Sequence, residues 1–168
     1  MISKKIASFI TSIMVFCCIV GVSLTNVKAD DSAPKLVDGS YLTSADSSTG
    51  YTPKNNERGK HLMDGQCSIS KTGTKRIYAY GSTTANHTVD AVAVIVYVEQ
   101  YSEKDDKWYQ IDAFSKKVEN DYYSATSKSI QVDRGYYYRV HAEHFVRMGE
   151  DPVEETYSVT NGDRKSVV

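Results

Sequence analysis

Residues 135–146 read Gly-Tyr-Tyr-Tyr-Arg-Val-His-Ala-Glu-His-Phe-Val and form the clearest strand pattern in the chain. Side chains of a half-buried strand alternate between two faces. The predicted inner face carries Tyr136, Tyr138, Val140, Ala142 and Val146, and the predicted outer face carries Tyr137, Arg139, His141 and Glu143. His144 has inward parity, so we expect a buried imidazole whose ring nitrogens are hydrogen-bonded. A pH-sensing or catalytic role is the disfavoured alternative, because no nucleophile motif lies nearby.

The rest of the domain contains further segments with a strand-like pattern. Runs of β-branched and aromatic residues alternate with Gly, Asn, Asp and Ser, which is typical of an antiparallel sandwich or barrel. The pattern predicts about seven strands, at residues 66–70, 75–82, 89–101, 107–114, 122–132, 135–146 and around Tyr157 and Val159. Strand 89–101 should be central, because both of its faces are apolar. It should form a hairpin with 107–114. The predicted fold is an all-β, antiparallel, immunoglobulin-like sandwich with little helix.

One resemblance concerns this fold. Val132, Gly135, Tyr138, Val140 and Ala142 resemble the turn and penultimate strand of fibronectin type III and immunoglobulin-like sandwiches. In those folds a tyrosine pins a corner of the sandwich. The resemblance therefore implies a corner contact made by Tyr138.

A second resemblance rests on three stretches: Gly81-Ser82-Thr83-Thr84-Ala85 before a valine-rich strand, Trp108 after the hairpin, and residues 135–141. On these residues the chain resembles an uncharacterised family of small secreted proteins of Gram-positive bacteria, a domain of unknown function. The resemblance covers roughly residues 65–161. It implies secretion and fold, and no catalytic activity.

The first 29 residues have the anatomy of a signal peptide. Lys4 and Lys5 precede a mostly apolar run at residues 6–22, and Val27-Lys28-Ala29 fits the small-residue pattern before a cleavage site. An uncleaved anchor is the alternative, but a bilayer core requires about 20 mainly apolar residues. We therefore predict a secreted, extracellular protein with no membrane association beyond the signal. Residues 30–64 should be a polar, flexible lead-in, 65–162 the domain and 163–168 a tail.

Charge and cysteine content exclude several classes of function. Residues 1–29 hold three lysines and no acid, so the remaining chain has 17 basic and 21 acidic side chains and a net charge of −4. This balance does not favour nucleic acid or an anionic membrane surface. Cys67 is the only cysteine after residue 29, so no internal disulfide can form. We expect Cys67 to be buried in a strand, with a disulfide between chains as the alternative.

Tyrosine is the unusual feature of the composition, because all thirteen lie after residue 29. Tyr and Trp can form platforms for sugars or anchors for proteins. They are also favoured in strands, where many must be core or cross-strand neighbours. The first candidates for an exposed binding surface are Tyr101, Trp108, Tyr122 and Tyr137.

The outer face of strand 135–146 carries the remaining candidates. Arg139 is expected to stack on an aromatic ring and pair with Glu143 or with an acid on the adjacent strand. Recognition of a partner's carboxylate is its functional alternative. His141 and Glu143 lie about 6.6 Å apart along the strand, a spacing at which both could reach one metal ion. No third ligand is identifiable, so a charged strand surface is the favoured interpretation.

These observations predict a non-enzymatic extracellular or cell-surface interaction module. We expect no cofactor, no metal and no catalytic residue, a monomeric state, and a protein or glycan partner at the envelope or in the medium. The alternative is a small secreted hydrolase or metal-dependent carbohydrate-active domain that uses His141 and Glu143. A binding module should present an exposed aromatic or charged sheet face. An enzyme should gather His141, Glu143 and another polar group in a pocket.

Overall fold

The computed structural model describes residues 33–53 and 59–164, without the side chains of Met63, Asp163 and Arg164. The predicted signal peptide lies outside these ranges. Within them the structure has no helix and contains nine strands. The strands are β1 (Leu36–Val37), β2 (Ser40–Thr43), β3 (Ser47–Tyr51), β4 (Leu62–Gly73), β5 (Arg76–Ser102), β6 (Lys107–Gln131), β7 (Tyr137–Arg147), β8 (Glu154–Val159) and β9 (Gly162–Arg164).

The long hairpin of β5 and β6 organises the sheet. The first half of β5 pairs with β4 and β6, and its second half pairs with β6 and β7. The sheet order is β1-β2-β9-β7-β5-β4-β3, with β6 also on β5 and β8 also on β7. All pairings are antiparallel except β2 with β9. The all-β, antiparallel prediction is therefore confirmed.

The two halves of β5 face each other across the core. The register slips between Thr84 and Val89, which divides the strand into two parts. A Cβ atom added at Gly81 in the first half would overlap the side chains of Val94 and Val96 in the second. Glycine is thus required where the two halves of β5 approach each other.

A continuous apolar core fills the space between the layers. Its fully buried members include Ile69, Ile77, Ala79, Val94, Val96, Val98, Val140 and Ala142. A smaller cluster around Val92 and Val146 extends the core toward Leu62 and Val89. The four alternating valines of β5, Val92, Val94, Val96 and Val98, are fully buried. Cys67 is also fully buried and free, as expected.

Tyr138 makes the corner contact that the sandwich resemblance implies. Its ring is fully buried, and its hydroxyl donates a hydrogen bond to the carbonyl oxygen of Asp133 at 2.9 Å. Burial raises the pKa of this hydroxyl to about 12, so it remains a donor at neutral pH. The contact fixes the turn before β7 to the strand itself.

Several expectations about boundaries differ from the structure. The predicted lead-in, residues 30–64, contains β1, β2 and β3, and β4 begins at Leu62. Asp38 and Gly39 have φ of 46° and 75°, and these left-handed residues close the β1–β2 hairpin. β5 and β6 are each continuous where the pattern predicted two strands. Tyr136 was predicted to face inward, but it precedes β7 and is 45% exposed.

Candidate functional site

The outer face of β7 carries the row Arg139, His141, Glu143 and Phe145. On one side this row pairs with β8, where Val159 lies opposite His141 and Tyr157 opposite Glu143. On the other side it pairs with β5, where Tyr97 lies opposite His141. Directly opposite residues in a sheet point to the same face. The register therefore places two tyrosine rings beside the histidine and glutamate singled out from the sequence.

Two hollows lie along this face and share His141 and Tyr157. One, of about 520 Å³, is lined by Asp38, Gly39, Tyr51, Pro53, Arg139, His141, Tyr157 and Val159. The other, of about 350 Å³, is lined by His141, Glu143, Phe145, Glu155, Thr156 and Tyr157. We call the two together the aromatic groove. Its tyrosines Tyr51 and Tyr157 are 61% and 53% exposed, so a ligand can reach their rings.

The polar groups at the middle of the groove are held by tyrosine. The hydroxyl of Tyr97 donates a 3.0 Å hydrogen bond to Oε2 of Glu143. Burial, and then this carboxylate, raise the pKa of Tyr97. The ring of His141 lies 5.7 Å from that of Tyr97 and 6.1 Å from that of Tyr157, between centroids. His141 and Glu143 thus sit in an aromatic frame built from β5 and β8.

The charges that line the groove are mostly negative. Its acids are Asp38, Glu143 and Glu155, and its one strong base is Arg139. The guanidinium of Arg139 is already engaged, with Nη2 2.8 Å from Oδ2 of Asp38 and Nε 2.6 Å from Oε2 of Glu99. Glu143 and Glu155 are left as the acids that face the smaller hollow. The groove favours a positively charged ligand group.

Arg139 is buried, which corrects its prediction as a surface residue. Only 4% of the residue is exposed, because β1, β2 and their turn cover it. Its Nη1 donates to the carbonyl oxygen of Asp38 and to Oγ of Ser40. The predicted stacking is present on Trp108, and the predicted acidic partner is Glu99 on the adjacent strand. The role of Arg139 is structural, because it connects the β1–β2 hairpin to β5 and β7.

The other aromatic candidates do not meet at the groove. Tyr101 is 3% exposed, so its assignment to an exposed surface is wrong; its ring packs on Trp108 and Tyr137. Nε1 of Trp108 donates to the carbonyl oxygen of Val37, which places this residue beneath β1. Tyr122 is 56% exposed and lies on β6. Of the seven predicted binding residues, Arg139, His141 and Glu143 line the groove.

His144 is a satisfied core histidine. It is fully buried, and its Nδ1 lies 2.9 Å from Oγ1 of Thr83 while its Nε2 lies 2.8 Å from Oγ of Ser158. The Thr83 hydroxyl also lies 2.8 Å from the carbonyl oxygen of Ala93 and can donate to it. That arrangement leaves Thr83 as an acceptor for an Nδ1–H donor. Burial lowers the pKa of His144 to about 4, so the ring is neutral at ordinary pH.

A second polar cluster joins residues that no sequence motif connects. Nε2 of His61 lies 2.8 Å from Oδ2 of Asp151, and Nδ1 of His61 lies 3.2 Å from Nε2 of His87. The carboxylate of Glu154 accepts hydrogen bonds from the backbone N–H groups of His61 and Leu62. These contacts anchor the turn between β7 and β8 to the start of β4.

Sequence reasoning missed Tyr51 and Tyr157 as groove residues, and Tyr97 as the residue that donates a hydrogen bond to Glu143. The outward parity of Tyr97 was visible within its strand, but which residue of β7 lies beside it depends on the β5–β7 register. Tyr51 belongs to a segment read as a lead-in, and Tyr157 to the shortest predicted strand. In the part of the chain that the structure describes, no group of three or more His, Cys, Asp or Glu side chains could hold a metal ion.

No protein-family model, curated protein or solved structure matches this chain. The resemblance to secreted Gram-positive proteins therefore stays a prediction. Across residues 33–53 and 59–164, no helix is long and apolar enough to span a membrane.

Proposed function

We propose that this protein is a secreted, non-enzymatic interaction module and that the aromatic groove is its binding site. The observation that carries the proposal is the position of His141 and Tyr157 where the two hollows meet, with the exposed rings of Tyr51 and Tyr157 both lining the larger hollow. Tyrosine contributes large contact area at low entropic cost, which suits a binding surface. The two hollows share His141 and Tyr157 and are partly open to solvent, rather than forming a closed pocket around a reacting group.

Charge identifies the class of ligand. Glu143 and Glu155 face the smaller hollow, while the guanidinium of Arg139 is neutralised by Asp38 and Glu99. A protein segment with a Lys or Arg side chain would place its cation near these acids and its apolar atoms on Tyr157. A cation near a tyrosine ring gains about 0.5 to 1 kcal/mol at an exposed site. The proposed partner is therefore a basic segment of an extracellular protein.

The hydrolase alternative rests on one specific observation. His141, Glu143 and Glu155 all line the smaller hollow, so two carboxylates and an imidazole share one space. Glycosidases use a pair of carboxylates that flank the scissile bond. Against this, Glu143 accepts a hydrogen bond from Tyr97, and the ring of His141 packs between two aromatic rings. Both arrangements favour a role for these side chains in forming a binding surface over a role in proton transfer.

Peptide arrays provide the test. The secreted protein is applied to matched sets of extended peptides carrying Lys, Glu or uncharged residues, and the site of binding is mapped by NMR chemical-shift changes. We expect lysine peptides to bind, with shifts concentrated on His141, Glu143 and Tyr157. Hydrolysis of soluble glycan substrates that is lost in Glu143→Gln would overturn the non-enzymatic proposal.

The immunoglobulin-like description of the fold and membership in the secreted Gram-positive family are also proposals. The fold is supported by two facing layers and by the corner contact of Tyr138 with Asp133. The described residues contain nine strands, where about seven were predicted. The predicted sandwich was antiparallel, so the parallel pairing of β2 with β9 was not expected. Comparison of this strand order with the strand order of immunoglobulin-like domains tests the assignment.

A further inference from the structure

The layer on the other side of the core presents a second exposed face. Four strands, β3, β4, β5 and β6, lie side by side there. Their registers align outward side chains in rows across the strands. The central row consists of Thr49, Ser68, Tyr80 and Ser127. The rows beside it are Ser47, Ser70, Tyr78 and Ser129 on one side, and Tyr51, Gln66, Ser82 and Ala125 on the other, of which Ser82 is buried. We call these three rows the hydroxyl face.

The hydroxyl face holds no charged residue. Asp, Glu, Lys and Arg make up 24% of the chain, yet none of the twelve positions carries one. Charges return only in the next rows, with Arg76 at one end and Asp64 at the other. Solvent-exposed strand faces ordinarily carry charges, which keep proteins soluble and separate. Their absence across four adjacent strands indicates a surface with a specific partner.

The chemistry of the face identifies that partner. Ten of the twelve side chains carry a hydroxyl group, which can both donate and accept hydrogen bonds. Three of the ten are tyrosines, and Tyr78 is 38% exposed. Sugar rings present the same combination of hydroxyl groups and small apolar C–H faces. A charged partner would find no counter-charge here, and an apolar partner would leave the hydroxyl groups without hydrogen bonds.

The dimensions of the hydroxyl face fit a polymer of sugars better than a single sugar. Neighbouring strands lie about 4.8 Å apart, and successive outward residues about 6.7 Å apart. Four strands and three rows therefore span about 14 Å by about 13 Å. We propose that the hydroxyl face binds an uncharged polysaccharide. This site shares Tyr51 with the aromatic groove, and its other eleven residues lie outside the groove.

Co-sedimentation with insoluble polymers tests the proposal. The secreted protein is mixed with cellulose and with chitin, which are uncharged, at low and at high salt. We expect retention on at least one polymer that changes less than twofold with salt, because no ion pair is involved. Tyr78→Ala and Ser127→Lys should each weaken retention by tenfold or more. Ser115→Lys, an exposed serine on the other half of β6, should leave it unchanged.

Three results would overturn the proposal: no retention on either polymer, retention that salt removes, or equal retention of Ser127→Lys and Ser115→Lys. A dimer of the wild-type protein that Ser127→Lys dissociates would assign the face to self-association instead. Glu143→Gln should still be retained, because it alters only the aromatic groove. The groove proposal and this one can therefore fail independently.

Discussion

The guanidinium carbon of Arg139 lies 4.5 Å from the centroid of the Trp108 ring. This contact stacks a cation of β7 on an aromatic residue of β6, while Glu99 of β5 and Asp38 of the β1–β2 turn neutralise the charge. One buried side chain therefore connects four segments of the chain. It holds the β1–β2 hairpin to the sheet together with the β2–β9 pairing and the hydrogen bond from Trp108 to Val37.

Arg139→Ala should destabilise the protein strongly, because it leaves the largely buried Glu99 without its partner. Breaking a buried ion pair costs about 3 to 5 kcal/mol. Chemical denaturation measures the free energy of unfolding, and hydrogen exchange should quicken first in residues 36–43. Arg147→Ala, an exposed arginine on the same strand, should change stability by less than about 0.5 kcal/mol. A loss below about 1 kcal/mol for Arg139→Ala would contradict this role.

His144 should make stability fall in mild acid. Its pKa is lowered by burial from 6.5 to about 4, so between these values the unfolded chain binds a proton that the folded protein excludes. The stabilisation is complete above pH 6.5 and is lost as pH falls toward 4, by about 3 kcal/mol. The free energy of unfolding, measured by chemical denaturation at several pH values, should depend less steeply on pH in His144→Gln than in the wild-type protein. An equal pH dependence in the two proteins would show that other groups cause the effect. His141→Gln is the control.

Cys67 should be unreactive in the folded protein. Burial raises the pKa of its thiol to about 11, and the side chain is fully buried. The thiolate is the reactive form, so alkylation should be slow and should follow global unfolding. Labelling kinetics with and without denaturant measure this. Rapid labelling of the native protein, or a dimer that reductant separates, would contradict the burial of Cys67.

Gly81→Ala should destabilise the core, because the added Cβ would overlap Val94 and Val96. Overpacking typically costs about 1 to 3 kcal/mol. Gly73→Ala is the matched control, since its Cβ would meet only Arg76 Cβ at an ordinary 3.7 Å. The difference between the two variants in free energy of unfolding measures how closely the layers approach. Equal effects would mean that the layers can separate at Gly81.

The inner face of β7 was predictable, because the alternation of apolar and polar residues decides which side is buried. In β5 the alternation sets the valines on one face, but both faces are apolar, so it does not say which face is the inner one. The burial of Tyr101 and Arg139 was not predictable, because both lie beneath a hairpin whose polar sequence predicts a flexible segment. Asp38-Gly39 was the available signal, since Asp-Gly between short strands favours a tight hairpin turn.

The aromatic groove was predictable only in part. His141 and Glu143 share a strand, and their common face follows from spacing. Tyr51, Tyr97 and Tyr157 come from three other strands, and the pairing registers that bring them near His141 and Glu143 are set by packing across the whole sheet. The hydroxyl face could not be predicted for the same reason, because its rows form only when the registers of four strands are aligned.

The most direct test of the groove is the affinity of a lysine-containing peptide selected on the array, measured by calorimetry for matched charge variants. Glu143→Gln should weaken binding at least fivefold and reduce its salt dependence, because it removes a carboxylate from the smaller hollow. Glu150→Gln removes an equal charge from an exposed turn outside the groove and should leave affinity unchanged. Equal affinities for the two variants would contradict the account.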